Sequence, residues 1–294
     1  MLQHLGYREM DSGYKHESRK VIFLGDFIVR GESLCEHKEL LGIVMKMVGS
    51  GNALSVMGNH EFNALVYHTE VDGSPLRPHS KKNTNQHQAL LQEFDNDPVA
   101  KGEVLEFFNT LPLWIELDEL RVVHACWDQS SIDALTRLHG GPRMTTELLI
   151  KASDPTTDEY KCIETILKGY ETLLPRGISL LDKDGNRRYS MRTQWWKEDA
   201  TCLGEVAIPP DIELGSARNL PVATDIPRYD RKGKPCFIDH YWLRGKPSPL
   251  LDNVGCVDYS VAKQGKLVAY RWSGERSLTS SNFSFSHTGR SSFL

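Results

Sequence analysis

Val21-Ile-Phe-Leu-Gly-Asp-Phe-Ile-Val-Arg-Gly-Glu32 is the stretch on which the fold turns. Its four leading apolar residues, Val21–Leu24, read as a buried strand that runs straight into Gly25-Asp26. Helix-period apolar positions follow over Leu34–Val48, then a second strand over Ala53–Met57 and a helix over Glu61–Tyr67. Strand, helix and strand at this spacing predict a βαβ unit in a mostly parallel sheet.

Beyond this unit the pattern is helical from Asn83 to Asn109, with a break at Asp97-Pro98. Leu113–Leu117 and Leu120–Val123 read as two short strands joined by an acidic turn, and 130–172 as helices broken at Gly140-Gly-Pro and Asp154-Pro. Residues 175–233 are rich in Pro, Gly and charge, so the span 130–232 is expected to be an insertion or cap with no separate core. Strands return at Cys236-Phe-Ile, Asn253–Tyr259 and Leu267–Trp272, and the Ser-rich tail at 277–294 is expected to fray. The expectation is one α/β domain over 1–294, its sheets flanked by helices and carrying a helical insertion.

Bulk properties narrow the function classes. A chain of 294 residues with 39% hydrophobic and 25% charged residues can bury a large core. A net charge of −4 gives no reason to expect general nucleic-acid or anionic-membrane binding. No apolar run reaches the roughly 20 residues that span a bilayer, and the N-terminus lacks the apolar segment of a secretory signal. The six cysteines are scattered singly, which suits reduced thiols and a cytoplasmic protein.

The strand ends carry the chemistry. Val21–Leu24 delivers Asp26, Leu54–Met57 delivers Asn59 and His60, Arg121–Val123 delivers His124, and Cys236–Ile238 delivers Asp239 and His240. Ligands of open α/β sheets bind outside the carboxyl ends of the strands, so four such ends can converge on one site. Oxygen and imidazole donors in this mixture suit Mn²⁺, Fe or Zn²⁺. Taken singly, each residue has a plainer reading: Gly-Asp as an ordinary turn, Asn59 as a helix cap, His124 as a hydrogen-bonded structural histidine. Four together make the stronger case. Trp195-Trp196 and Tyr241-Trp242 read as core or pocket wall. The mixed-charge clusters at 182–188 and 228–234 read as solvated turns, and His68, His79 and His87 as surface or cap residues.

Gly25-Asp26-x-x-Val29-Arg30-Gly31 resembles the G-D-x-x-D-R-G motif of calcineurin-like metallophosphoesterases, and Gly58-Asn59-His60-Glu61 matches their G-N-H-E about thirty residues on. His124 and His240 look like the two later metal histidines of that family. The likeness covers about residues 20–125 and 235–275. It is nearest to the protein-phosphatase, diadenosine-tetraphosphatase and polynucleotide-phosphatase branches. The resemblance implies a metallophosphoesterase-type fold and metal-dependent hydrolysis of a phosphorylated substrate, whether small molecule, nucleotide or phosphoprotein. It makes Asp26, Asn59, His124 and His240 metal ligands, His60 the general acid, Arg30 the phosphoryl clamp and Glu61 a support. Two divalent metals are implied by the family, and one is expected here.

Three departures qualify that implication. No D-x-H-G motif or apolar strand precedes Val21, and Met1-Leu-Gln-His-Leu-Gly-Tyr7 looks like the end of a helix. The expectation is a late start that leaves out the first strand and two ligands of the first metal. Val29 stands where the family has an Asp that orients its catalytic histidine. Asp239 stands where the family has Gly, so it either strains the turn or serves His240 as an acceptor. These departures keep open a second outcome, a catalytically degenerate fold acting as a binding or regulatory module.

Overall fold

The computed structural model describes residues 1–28, 36–181 and 187–287; Val29 and Arg30 lie outside the described residues. It is a mixed α/β fold. Strand β1 (Val21–Phe23) pairs in parallel with β2 (Ala53–Ser55), joined by helix α1 (His37–Gly49), which is the βαβ unit expected from the sequence. Helix α2 (Asn59–His68) follows β2 after three residues.

Helix α3 (Gln88–Phe94) and helix α4 (Pro98–Thr110) break where the sequence breaks: the Asp97 side chain accepts the Ala100 N–H and Pro98 opens the new helix. Strands β3 (Trp114–Glu116) and β4 (Arg121–Val123) form the antiparallel pair with the acidic turn. Helices α5 (Gln129–His139), α6 (Thr146–Ser153) and α7 (Asp158–Lys168) begin at Asp128, Thr145 and Thr157, whose side chains accept first-turn N–H groups. Gly140 ends α5 in the left-handed conformation.

The second half of the insertion differs from its expectation. Strands β5 (Glu171–Leu173), β6 (Ser190–Thr193) and β7 (Ala207–Ile208) form a small antiparallel sheet. It covers its own apolar cluster, in which Met191, Leu203, Val206, Leu214 and Ile226 are buried. Met191 and Thr193 point inward and alternate with Ser190 and Arg192, a period of two too short to stand out among the surrounding Pro, Gly and charge.

Strand β8 (Cys236–Ile238) lies parallel to β4 on one side and to β9 (Val254–Cys256) on the other, giving the order β9-β8-β4-β3. Strands β10 (Asp258–Tyr259), β11 (Lys266–Tyr270) and β12 (Phe283–His287) form a further antiparallel sheet. Strand β12 corrects the expected fraying from 277: Phe283 is buried against Val268 and Tyr259, and that contact holds the strand in register with β11. The Ser-rich composition hid an alternating Phe-Ser-Phe-Ser pattern. At the N-terminus, Gly6 (φ +89°) closes a helical turn, with Tyr7 N–H bonded to Leu2 O and Gly6 N–H to Gln3 O. That is the bonding of a helix C-terminus, the shape expected for Met1–Tyr7. A polar hairpin, Arg8–Met10 with Gly13–Lys15, leads into β1.

The main core joins helices α1–α7 to the sheets and includes Trp195 and Trp196, as expected of that pair. Of the surface or cap place expected for His87, the cap holds, at the start of α3, and the surface does not: the side chain is buried at 1% exposure edge-on to Tyr67, while His79 stacks on the same ring. The five described cysteines are all free thiols. No helix among the described residues is long and apolar enough to cross a membrane.

Candidate metal centre

Two loops meet first. The loop after β1 places Gly25 at φ +86° and Asp26 at +57°, both left-handed. A Cβ at Gly25 would strike the backbone of Gly58, and one at Gly58 would strike the Asp26 carboxylate. The glycines are therefore required by the close approach of the two loops, which lets Asp26 face the start of α2. Glu61 locks the approach: its carboxylate accepts the N–H groups of Asp26 (2.7 Å), Phe27 (2.8 Å) and Gly58 (2.9 Å). Burial and the Asp26 charge push the Glu61 carboxyl up to about 7, and the donated N–H groups oppose them.

The strand ends converge. Asp26 Oδ1 accepts the His60 N–H at 3.2 Å and lies 3.4 Å from His124 Nε2. Asn59 Oδ1 lies 3.2 Å from the same His124 nitrogen, so Asn59 faces the site; Gly58 occupies the cap position of α2. His124 Nδ1 lies 2.6 Å from the carbonyl oxygen of Leu24, at the end of β1, which presents Nε2 to Asp26 and Asn59. The His240 ring stands edge-on to His124 with centroids 5.2 Å apart. Ligating atoms of Asp26, His124 and His240 all lie within 4.8 Å of one another, the one such group among the described residues.

The chemistry of this donor set fits a cation. Both ring nitrogens of His240 are buried without a hydrogen-bond partner, a costly state for an imidazole that a ligated ion relieves. Burial, and after it the charge of Arg192, holds the His240 imidazole well below the usual histidine range, so it stays in its neutral, ligating form. Burial also acts against charge on Asp26 and His124, but the pair overrides it. Asp26 is held well below the usual carboxylate range by His124, His60 and His240, and His124 is pushed up to about 10 by Asp26. A metal ion held by Asp26, His124 and His240 would displace that histidine proton. Left-handed backbone at both Asp26 and His240 (φ +76°), two non-glycine residues, is strain of the kind found at functional sites.

Asp239 itself does not carry the strain of this turn. The left-handed residue of this turn is its neighbour His240, and the half-buried Asp239 carboxyl lies near Asp258, His124 and Asp26. Burial and Asp258 raise its carboxyl well above the usual range. Tyr241, on the far side of His240, ties the two histidine loops together. Its hydroxyl donates to Ala125 O (3.0 Å) and accepts from Trp195 Nε1 (2.8 Å), which brings the insertion to the site.

His60 sits at the second position of α2, half-buried, beside Asn59. The expected role of Arg30 falls outside the described residues. Arg192 had escaped the sequence reading: strand β6 carries it to His240 from inside the insertion, and no local motif marks it. Its Nε is buried without a hydrogen-bond partner. Beside His240 opens a cavity of about 720 Å³ that Arg192 and Trp242 also line.

No family model matches the sequence, and neither does any curated protein. Among solved structures, the chain is similar to a cold-active protein tyrosine phosphatase at 15% identity and a TM-score of 0.42, covering 91% of this chain and 67% of that one. It is also similar to the cold-active protein-tyrosine phosphatase of a psychrophile, Shewanella sp., at 14% identity and a TM-score of 0.38, covering 88% of this chain and 66% of that one. The chain spans about two thirds of the length of these distant structural neighbours.

Proposed function

We propose that this chain hydrolyses a phosphate ester at a divalent-metal centre held by Asp26, Asn59, His124 and His240. One observation carries the reading: four strand ends bring a carboxylate, an amide and two imidazoles together, and His240 has both nitrogens buried with no other partner. Mn²⁺, Fe or Zn²⁺ suits such donors, and the ion supplies Lewis acidity and activation of water at neutral pH.

The chain's own residues supply the rest. His60, whose backbone is fixed on Asp26, is assigned the proton that the leaving oxygen takes up, a role suited to imidazole near neutral pH. Arg30 is assigned the phosphoryl oxygens, as a planar two-pronged donor. Arg192 adds a second guanidinium on the His240 side. Glu61 acts through position alone, by holding the Asp26 loop on the start of α2.

A single feature favours a second reading. Valine at position 29 supplies no carboxylate behind His60, and loss of an orienting group of that kind typically costs about 10–100-fold. On this reading the chain keeps the site to bind a phosphorylated partner and does not turn it over. Mn²⁺-stimulated hydrolysis of p-nitrophenyl phosphate decides, in the chain as it stands and after Val29→Asp. Turnover that Asp26→Asn abolishes supports the hydrolase; Mn²⁺ binding with no turnover in either chain leaves the binding module.

A further inference from the structure

We propose that His68 and His87 form a second metal site, a two-imidazole seat for a borderline transition-metal ion, Zn²⁺ or Cu²⁺, that ties the end of α2 to the start of α3. The site uses none of the residues of the candidate centre and does not rest on the phosphoester reading.

His68 is the last residue of α2, and His87 occupies the cap position of α3. Their ring centroids lie 5.6 Å apart, with the planes inclined at 66°. Each ring leaves the same atom, Nε2, buried with no hydrogen-bond partner among the described residues, so the two nitrogens do not bond to each other. One buried, unpaired imidazole nitrogen costs the fold; two on adjacent rings are relieved together by one shared ligand. An ion bonded to both at about 2.0–2.1 Å holds the ring centres roughly 5–6 Å apart, according to the angle at the ion. The observed separation lies in that range.

The surroundings hold both rings ready. Tyr67 stands edge-on to His87 at 4.0 Å and to His68 at 5.1 Å, so one buried aromatic ring orients the pair. Tyr67 is itself fixed: its hydroxyl lies 2.9 Å from Thr84 Oγ1, and its ring stacks on His79 at 3.8 Å. His79 Nε2 in turn lies 2.8 Å from the carbonyl oxygen of Tyr67. The neighbouring polar groups thus have partners, and the two Nε2 atoms do not. Burial keeps both imidazoles below the usual histidine range, in the neutral form that ligates metal.

The donors select the ion. Two imidazoles without an oxygen ligand suit Zn²⁺ and Cu²⁺ and not Mg²⁺, Ca²⁺ or Mn²⁺. Lys101, Arg77, His79 and His60 act against positive charge around the pair, and Asp95 favours it. Bonds to nitrogen therefore hold the ion, not a field of carboxylates. No third His, Cys, Asp or Glu among the described residues completes a three-donor group here. His68 is half-buried, which leaves the remaining positions of the ion to water.

The test is calorimetric titration of the metal-free full chain with Zn²⁺. Two equivalents are expected to bind, one at the candidate centre and one at the histidine pair. His68→Gln and His87→Phe are each expected to lose one equivalent, and the double variant to lose no more than that one. Asp26→Asn with His240→Asn is expected to lose the other equivalent and keep this one, and excess Mg²⁺ is expected not to displace it. Two equivalents in both His68→Gln and His87→Phe overturn the proposal, as does a parent chain with a single equivalent that disappears with Asp26 and His240. Nitrogen NMR of the parent needs no substitution: Zn²⁺ is expected to shift the Nε2 resonances of His68 and His87 together, and resonances that stay in place overturn the site as well. Mn²⁺-dependent turnover of p-nitrophenyl phosphate is measured separately. Its failure removes the hydrolase and leaves the histidine pair standing on its own binding result.

Discussion

Glu61 accepts the backbone N–H of Asp26 at 2.7 Å with the same oxygen that accepts the N–H of Gly58, so one buried carboxylate pins the metal-facing loop to the start of α2. Glu61→Gln keeps the shape and replaces one acceptor oxygen by an NH₂ that cannot accept. With three N–H groups aimed at that carboxylate, at least one is left unpaired, at a cost of about 1–3 kcal/mol. The loop then holds Asp26 less well, and Mn²⁺ affinity is expected to fall about 10–100-fold. Urea unfolding and calorimetric Mn²⁺ titration read the two effects. A variant unchanged in both would show that Glu61 does not position the site.

His240 yields an opposite expectation for stability. Its ring nitrogens are buried without partners and its backbone is left-handed, so without metal it stabilises the fold little. Asn tolerates left-handed backbone, and His240→Asn is expected to leave metal-free stability within about 1 kcal/mol of the parent chain. Mn²⁺ at 100 times its Kd adds about 2.7 kcal/mol to the parent, and it is expected to add nearly nothing to the variant. The same Mn²⁺-induced rise in Tm for both chains would remove His240 from the ligand set.

What the sequence reveals of this site is what neighbouring residues encode. The βαβ unit and the strand ends were readable, because an apolar run followed by Gly-Asp or Gly-Asn-His is a feature of neighbouring residues. Arg192 was not: it lies 68 residues after His124 (192 − 124), and only the fold of the insertion brings it to His240. The same holds for the Trp195–Tyr241 bond, although the burial of both residues was anticipated. The cap position of His87 is local and readable, but its burial is not. It lies among polar residues, and its burial comes from packing edge-on to Tyr67 on another helix, which no window around residue 87 contains. Strand β12 was lost to composition, since serine at every second place outweighed the alternating Phe283 and Phe285.

Helix α1 has no side-chain cap of its own at Glu36, and the carboxylate of Glu93 on α3 does that work instead. It accepts the N–H of His37 (3.0 Å) and of Lys38 (2.7 Å), and contacts His37 Nδ1 at 2.8 Å. Glu93→Ala is expected to cost about 1–2 kcal/mol, as loss of a cap does. Burial raises the Glu93 carboxyl, but the hydrogen bonds from His37 and Lys38 prevail and hold it below its ordinary value of 4.5. The folded chain therefore binds fewer protons than the unfolded chain as pH falls past 4.5. The contribution of Glu93 is present above that pH and is lost below it. Denaturant titrations at pH 7 and pH 4 should show parent and variant converging; a constant gap would rule out the cap as its source.

His87 governs a different pH window. Burial first, then the charges of His68, Arg77, His79 and His60, push its imidazole down to about 4 from an ordinary 6.5. His68 is lowered as well, by burial and by Lys101, and the Nε2 atoms of both rings are buried without hydrogen-bond partners. Between pH 6.5 and 4 the unfolded chain takes up a proton at residue 87 that the folded chain refuses, so the unfolded state binds more protons and stability falls with pH. His87→Phe keeps an aromatic ring against Tyr67 and removes the titrating group. It is expected to flatten the loss of unfolding free energy across that window, with little change in the limb below pH 4 that carboxylates dominate. Stability measured by urea unfolding at half-unit steps from pH 7 to pH 4 gives the slope, and an unchanged slope in His87→Phe would mean that the neutral His87 ring is not what acid attacks.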